Sequence, residues 1–396
     1  METTFWYSLR TKPLQLSIMP SEKRPVLQVL PKVPPAVCGV GDYAWGIAQR
    51  LEAEQGIQSS FLCAGTTWKE PVGEVEFPVH RLPDLSTRSL VDFVVSRKGE
   101  FSAVILHLSC YGFQKRGVPL WLAAAWKQLS QIQDRPRLLT MFHELAASGP
   151  VTSSAFWLRP LQQWVIRRIA LASDGLRTNR EGYASWLRSI PGMNGREIVA
   201  MPVFSNFGEP KTLPAWTERE PAMFMFGWGI YTGESLADTI SRAADHCRRL
   251  GLSRLHVLGE RQLRDVETPG VELHGHGFMA AANISRLLLS CRVGYSAYNP
   301  EFFGKSTLMA AFASHGLGVI CQGQRPLLED GLQDGIHLLN ETTLESTTDV
   351  SKLSWETLAG TLKGWYDKHS LTLNAASYAK QLRLLHTTSN SLGREE

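Results

Sequence analysis

Short runs of β-branched and other apolar residues alternate with longer amphipathic stretches along almost the whole chain. In the first half, "VLQVL" (26–30), "SSFLCAG" (59–65), "AVILHLS" (103–109), "RLLTMFHEL" (137–145), "DGLRTNR" (174–180) and "EIVAMPVF" (197–204) predict strands. The pattern between them predicts helices over 40–56, 119–132 and 153–172. The second half repeats the rhythm, with strands expected at 222–228, 254–260, 271–278, 293–298 and 318–323 and helices at 235–250, 279–290 and 306–315. The strand runs are apolar at nearly every position, as parallel strands buried on both faces require.

The segment 205–221 carries three prolines and few apolar residues, and it reads as a linker. From 354 onward the pattern is helical only, and the tail "SNSLGREE" is expected to fray. The fold class expected is therefore α/β, with two tandem Rossmann-like domains facing a central cleft and C-terminal helices closing the chain. The expected division is an N-terminal extension over 1–25, a first domain over 26–210, a second over 211–354, and helices and tail over 355–396. In open α/β sheets ligands sit beyond the carboxyl ends of the strands, so the cleft is the expected site.

Composition changes this picture little. A chain of 396 residues is too long for one ordinary core. Its 43% hydrophobic and 20% charged content is that of a globular protein. No apolar run is long enough to span a membrane, and the first 25 residues lack the apolar core of a secretory signal. Six scattered cysteines, without a Cys-x-x-Cys pair, suit a reducing cytoplasm and point away from disulfides and structural zinc. Residues 1–210 carry 23 Lys/Arg against 17 Asp/Glu, and residues 211–396 carry 18 against 20. The basic first half either favours an anionic partner or reflects ordinary scatter.

Four motifs carry candidate chemistry. Gly39-Val40-Gly41-Asp42-Tyr43-Ala44 matches the dinucleotide pattern G-x-G-x-x-A, but "PKVPPAVC" separates it from its strand and the expected ribose-binding acid is missing. What survives is a glycine loop entering a helix, read either as an anion seat or as a tight turn. His107 and His143 sit near the carboxyl ends of two predicted strands, and His143, next to Glu144, is the better placed to position or transfer a proton.

Gly304-Lys305-Ser306-Thr307 resembles the end of a P-loop, yet Asn299 stands where the loop's first glycine belongs. A helix N-terminus, an ammonium and two hydroxyls make a diphosphate seat, and Glu301 just upstream can meet sugar hydroxyls. The plainer alternative is that Ser306 or Thr307 is an N-cap. Gly275-His276-Gly277-Phe278 reads as a loop that approaches a ligand or as a simple turn. The predicted helix over 153–172 carries Phe156, Trp157 and Trp164 with Arg159, Arg167 and Arg168. Such a helix can lie on a membrane surface, but the preferred reading is that its aromatics pack inward and its arginines face solvent.

Taken in order over residues 26–370, these segments resemble the GT-B glycosyltransferases, in particular family 4, also called glycosyltransferase group 1. "GVGDYAWGIAQRL" is similar to that family's N-terminal glycine loop, "LLTMFHEL" to the strand whose histidine lies beside the transferred sugar, and 271–320 to the donor half. The resemblance implies hexosyl transfer from a nucleoside-diphosphate sugar, with retention of configuration, in polysaccharide or glycan biosynthesis. It implies His143 and Glu301 as catalytic residues. It places the donor at Gly41, Gly227, Phe278, Tyr298, Phe303, Gly304, Lys305, Ser306 and Thr307, and the acceptor near Asp42, Tyr43 and His107. No cofactor and no metal ion are expected, since no Asp-x-Asp pair occurs.

The expected partners are the nucleotide-sugar donor and a glycan or lipid-linked acceptor. No nucleic acid is expected, because the charges are interspersed without a basic stripe. The location expected is cytoplasmic, with peripheral contact at the inner membrane face. Oligomeric state stays open. The chain departs from the family pattern in two places: Met309 stands eight positions after Glu301 where a second glutamate is usual, and "FGWGIYTGESL" lacks the arginine and lysine that normally meet the pyrophosphate. A non-catalytic scaffold of the same fold is the alternative that these departures leave open.

Overall fold

The computed structural model describes residues 24–66, 76–146, 151–228, 230, 233–259, 263, 266–323 and 328–392. The N-terminal extension, apart from residues 24 and 25, and the last four residues of the tail lie outside them. Seven parallel strands form the first sheet: β1 (Val26–Leu30), β2 (Ser59–Cys63), β3 (Val79–Arg81), β4 (Ala103–Leu108), β5 (Arg137–Phe142), β6 (Gly175–Thr178) and β7 (Ile198–Ala200). Their spatial order is β3-β2-β1-β4-β5-β6-β7. Six form the second: β8 (Glu220–Phe226), β9 (Arg254–Leu258), β10 (Glu272–His276), β11 (Cys291–Ser296), β12 (Gly318–Cys321) and β13 (Leu339–Asn340), in the order β10-β9-β8-β11-β12-β13. Every pairing is parallel. In each sheet the order reverses next to the first strand, which leaves a crevice at its carboxyl edge.

Strands β1, β2 and β4 are buried at every position, which accounts for their unbroken apolar runs. Strands β3 and β13 were not predicted; one is a half-exposed edge of three residues and the other spans two. Hydroxyl and amide caps fix several helix starts. Ser86 accepts from Ser89 N, Ser153 from Phe156 N, Ser235 from Asp238 N and Asn340 from Thr342 N.

The two sheets share one continuous hydrophobic cluster, running from Val26 and Tyr43 through Phe204 and Phe224 to Tyr366 and Tyr378. The connecting segment is tied down as well: Ser205 N donates to Tyr366 Oη, and Glu209 accepts from Leu371 N. The last helix, Leu371–Leu392, returns to the first sheet and lies against the helix Gly39–Gln55. Buried Arg177 on β6 donates to Gln381 Oε1 and Ser377 Oγ, with its guanidinium 3.9 Å above the Tyr378 ring.

Candidate functional site

A cavity of about 550 Å³ lies between the two sheets. Most of its lining comes from segments just past strand ends, with Arg159 and Gln163 added from the helix Ser154–Ala172. Tyr111 follows β4, Glu144 to Ala146 follow β5, and Arg180, Gly182 and Tyr183 follow β6. From the second half come Glu301, Phe302 and Lys305 after β11 and Glu329 after β12. Parallel strands all end on one side, so residues distant in sequence meet there.

Arg180 organises the wall. Its guanidinium is 2.6 Å from Glu329 and 3.4 Å from Glu301, both in the other half of the chain. It also lies 4.4 Å from the centre of the Phe302 ring and 4.7 Å from that of Tyr183. Burial opposes its charge, and Tyr183 and Glu329 outweigh that, holding it above the usual arginine range. Asp330 accepts from Glu181 N at 2.7 Å and closes the same seam.

Lys305, half-buried, is a second cation of the cavity wall. Its Nζ lies 3.9 Å from Glu144 and 4.8 Å from the centre of the Phe302 ring. Burial works to lower its pKa, but Tyr183, Tyr298 and Glu144 outweigh it, so the ammonium is held above the ordinary lysine range. Lys305 is a fixed positive charge. Its neighbours in the motif have structural duties. Ser306 is buried and caps the helix Thr307–Ser314 through Met309 N, which is the plainer of the two readings. Gly304 is buried with its carbonyl accepting from Val203 N, and a side chain there would run into the Asp330 carboxylate. Phe303 is in the core, while Thr307 and Tyr298 are half-buried. Met309 is fully buried in the core, so no side chain at that position faces the cavity.

The two predicted histidines come together in one hydrogen-bonded chain. His107 is fully buried and bridges Gln28 Oε1 at 2.8 Å and His143 Nε2 at 3.1 Å. Gln28 Nε2 in turn donates to Ser59 Oγ. With that amide orientation, His107 carries its proton on Nε2 and accepts at Nδ1 from His143. Burial, with the charge of Lys305 nearby, pushes His143 down to about 3. It is held neutral, and its bond to His107 fixes the ring just past β5.

The remaining residues divide by exposure. Tyr43 is buried, stacked on Phe204 at 4.8 Å between ring centres and donating to Asn374 Oδ1, so it cannot meet an acceptor. His107 is equally enclosed. Gly41 is buried in the first turn of its helix, where a side chain would strike the Lys32 carbonyl; the tight-turn reading explains it. Asp42 is half-buried, and burial raises its carboxyl to about 6. Gly227 lets the end of β8 approach β9, donating to Leu258 O at 2.8 Å.

Phe278 is 89% exposed and stacks on Trp228, with 6.2 Å between ring centres and planes 21° apart. Trp228 itself lies over Gly259, whose φ of +110° and lack of a side chain make room for the indole. Sequence reasoning missed Trp228, Arg180, Tyr183, Phe302 and Glu329. A tryptophan or arginine just past a buried strand was the available signal. Among the described residues, no group of three or more His, Cys, Asp or Glu side chains is arranged to hold a metal ion.

Compared by sequence, the chain matches no family model and no curated protein. Compared by structure, it resembles the GtfA/B complex, at 12% identity and a TM-score of 0.61 over 91% of this chain and 99% of that one. It also resembles the trehalose 6-phosphate synthase of Burkholderia multivorans, at 10% and 0.57 over 93% and 98%. A third is an alpha-glucosyltransferase in complex with UDP and a 13-mer DNA, at 10% and 0.56 over 92% and 99%.

The last of these corrects one expectation. Nucleic acid was set aside as a partner because no basic stripe runs along the sequence, yet this architecture includes a protein in complex with DNA. The physical reason lies in the fold: Arg159, Arg180 and Lys305 are far apart in sequence and line one cavity, so no linear stripe is needed. Two parallel α/β sheets whose strand ends share a cleft, matched over nine-tenths of the chain by glycosyltransferases, give this protein the GT-B glycosyltransferase fold.

Proposed function

We propose that the protein is a glycosyltransferase that moves a sugar from a nucleoside-diphosphate sugar to an acceptor hydroxyl in the cleft. The observation that carries this reading is the place of Lys305, an ammonium lining the cavity past the carboxyl end of β11 in a GT-B fold, with Tyr183, Tyr298 and Glu144 favouring its charged form. As the sugar leaves, the bond between its anomeric carbon and the β-phosphate oxygen breaks. Negative charge grows on the diphosphate, and a fixed cation in a partly dry cavity stabilises it without a metal ion. The acceptor oxygen bonds to the same carbon, and its proton passes to the departing diphosphate. Configuration is retained in this reading.

Lys305 takes the place of the cations missing after β8. Glu301, partly exposed at the cavity wall, meets the sugar hydroxyls, and His143, bonded to His107, steadies the strand end that carries the cavity-lining Glu144. The Trp228–Phe278 pair offers an aromatic face for a nucleobase. The acceptor belongs to a glycan, a lipid-linked glycan or a nucleic acid; each presents a hydroxyl beside anionic or polar groups that Arg159 and Arg180 can meet.

A second reading is favoured by the Arg180 contacts: Glu301 is already engaged, and Met309 turns away from the cavity. A scaffold that binds a nucleotide or sugar without transferring it would look like this. The test is a thermal-shift panel of UDP, GDP, ADP and their sugars, followed by turnover with the nucleotide that shifts, with Lys305→Ala alongside. A selective shift lost in the variant, with release of free nucleotide from the matching sugar, supports the enzyme. A shift without turnover supports the scaffold, and no shift with any nucleotide sinks both.

A further inference from the structure

The helix Ser154–Ala172 does not pack its aromatics inward as expected. It buries Gln162, Val165, Ile166, Ile169 and Ala170 against the first sheet. Trp157, Leu161, Trp164 and Leu171 lie on the other side, 70%, 49%, 44% and 46% exposed. Spacings of four, three and seven residues place them in one stripe, about 21 Å long at about 1.5 Å of rise per residue. Arg168 lies within the stripe, 5.0 Å from the centre of the Trp164 ring, and Arg167 lies beside it. The helix contains three arginines and no acidic residue.

We infer that this stripe docks the protein on an anionic lipid surface. Exposed indoles and leucines interleaved with arginines are the composition of a helix lying in the headgroup layer, where the rings enter the acyl boundary and the guanidinium groups meet phosphates. The Trp157 indole N–H is already satisfied by Val151 O at 2.8 Å, so its ring can leave water without stranding a donor. Among the described residues no helix is long and apolar enough to cross a membrane, so contact through this helix is peripheral. The four side chains lie along one exposed helix face. A nucleic acid strand is held in a concave channel, and Leu161 and Leu171 offer its bases no flat face to stack on.

The stripe has a place in the molecule. Arg159 and Gln163, on the same helix, line the interdomain cavity. The inference does not depend on the proposed reaction.

Flotation of the whole protein with phosphatidylcholine vesicles, with and without phosphatidylglycerol, tests it. Binding is expected only with the anionic lipid and should weaken as salt rises. Replacing Trp157 and Trp164 together by Ser should reduce binding by about tenfold or more, and so should replacing Arg167 and Arg168 by Gln. Circular dichroism and melting temperature, unchanged in both variants, would show that the fold is intact. Four results would overturn the inference. They are no vesicle binding, binding indifferent to both variants, a dimer in sedimentation velocity that the tryptophan variant dissolves, and a single-stranded oligonucleotide that binds through these residues when vesicles do not.

Discussion

The guanidinium of Arg180, two residues past β6 in the first half, sits 2.6 Å from the carboxylate of Glu329 in the second. Because Arg180 is almost wholly buried, this contact and the weaker one to Glu301 fasten the two sheets together beside the cavity.

Removing the arginine leaves Glu329 and the more exposed Glu301 without their partner. Arg180→Ala should cost about 1–3 kcal/mol, read as a lower urea midpoint. Arg180→Lys should recover little of it, since a compact ammonium cannot pair with a carboxylate and lie flat against Phe302 and Tyr183 at once.

Gly304→Ala presses on the same seam from the other side. The new methyl group meets the Asp330 carboxylate, and a loss of about 1–3 kcal/mol is expected, as for overpacking elsewhere. Gly39→Ala is the control, since nothing lies within 4 Å of a side chain there. Equal melting temperatures for the two variants would refute this account.

The buried histidines set the acid side of the stability profile. His143 is lowered to about 3, and His107 is also lowered, first by burial and then by the charges of His143 and Arg177. Between pH 3 and the ordinary histidine value near 6.5 the unfolded chain binds more protons than the folded one. Stability from this pair is therefore complete above about pH 6.5 and declines as the pH falls below it. His143→Gln should flatten that decline in a series of melting curves. A wild-type melting temperature independent of pH between 4 and 7 would contradict it.

Lys305 acts in the opposite pH range. Its pKa lies above the lysine norm, so nucleotide affinity should be level from pH 7 to pH 9. Lys305→Ala should weaken it by tenfold or more, about 1.4 kcal/mol at the least. Titration calorimetry at three pH values would show a fall toward pH 9 if the ammonium were losing its proton there.

Trp228→Ala should weaken nucleotide binding by about tenfold, within the range for base–aromatic stacking, while leaving the melting temperature unchanged. Gly259→Ala, which both strains a backbone at φ +110° and pushes against the indole, should reproduce part of the loss and lower the melting temperature as well. Calorimetry on both variants decides whether the ring pair meets the base.

Much of this fold can be read from sequence because its strands are buried on both faces. "AVILHLS" is apolar at nearly every position for that reason, whereas β3, at the edge with half-exposed residues, leaves no such trace. Lys305 stood out because of its neighbours, although Gly304 and Ser306 turn out to serve packing and capping. Arg180 ends a run, "DGLRTNR", that looks like any strand turning into solvent. Its importance depends on carboxylates about 120 and 150 positions later, and no local pattern can announce a partner so distant. The helix 154–172 failed for a related reason. Periodicity shows that a helix has two faces, but not which of two apolar faces meets the sheet.

The helix Leu371–Leu392 completes the first half of the molecule from far along the sequence. Arg177 lies on β6 and Tyr43 in the helix Gly39–Gln55, yet their partners Ser377, Gln381 and Asn374 stand about 200 to 330 positions later. Without that helix, a guanidinium and a phenol inside the first half would have only water to satisfy them. The first half therefore closes its interior with residues that the whole second half separates from it.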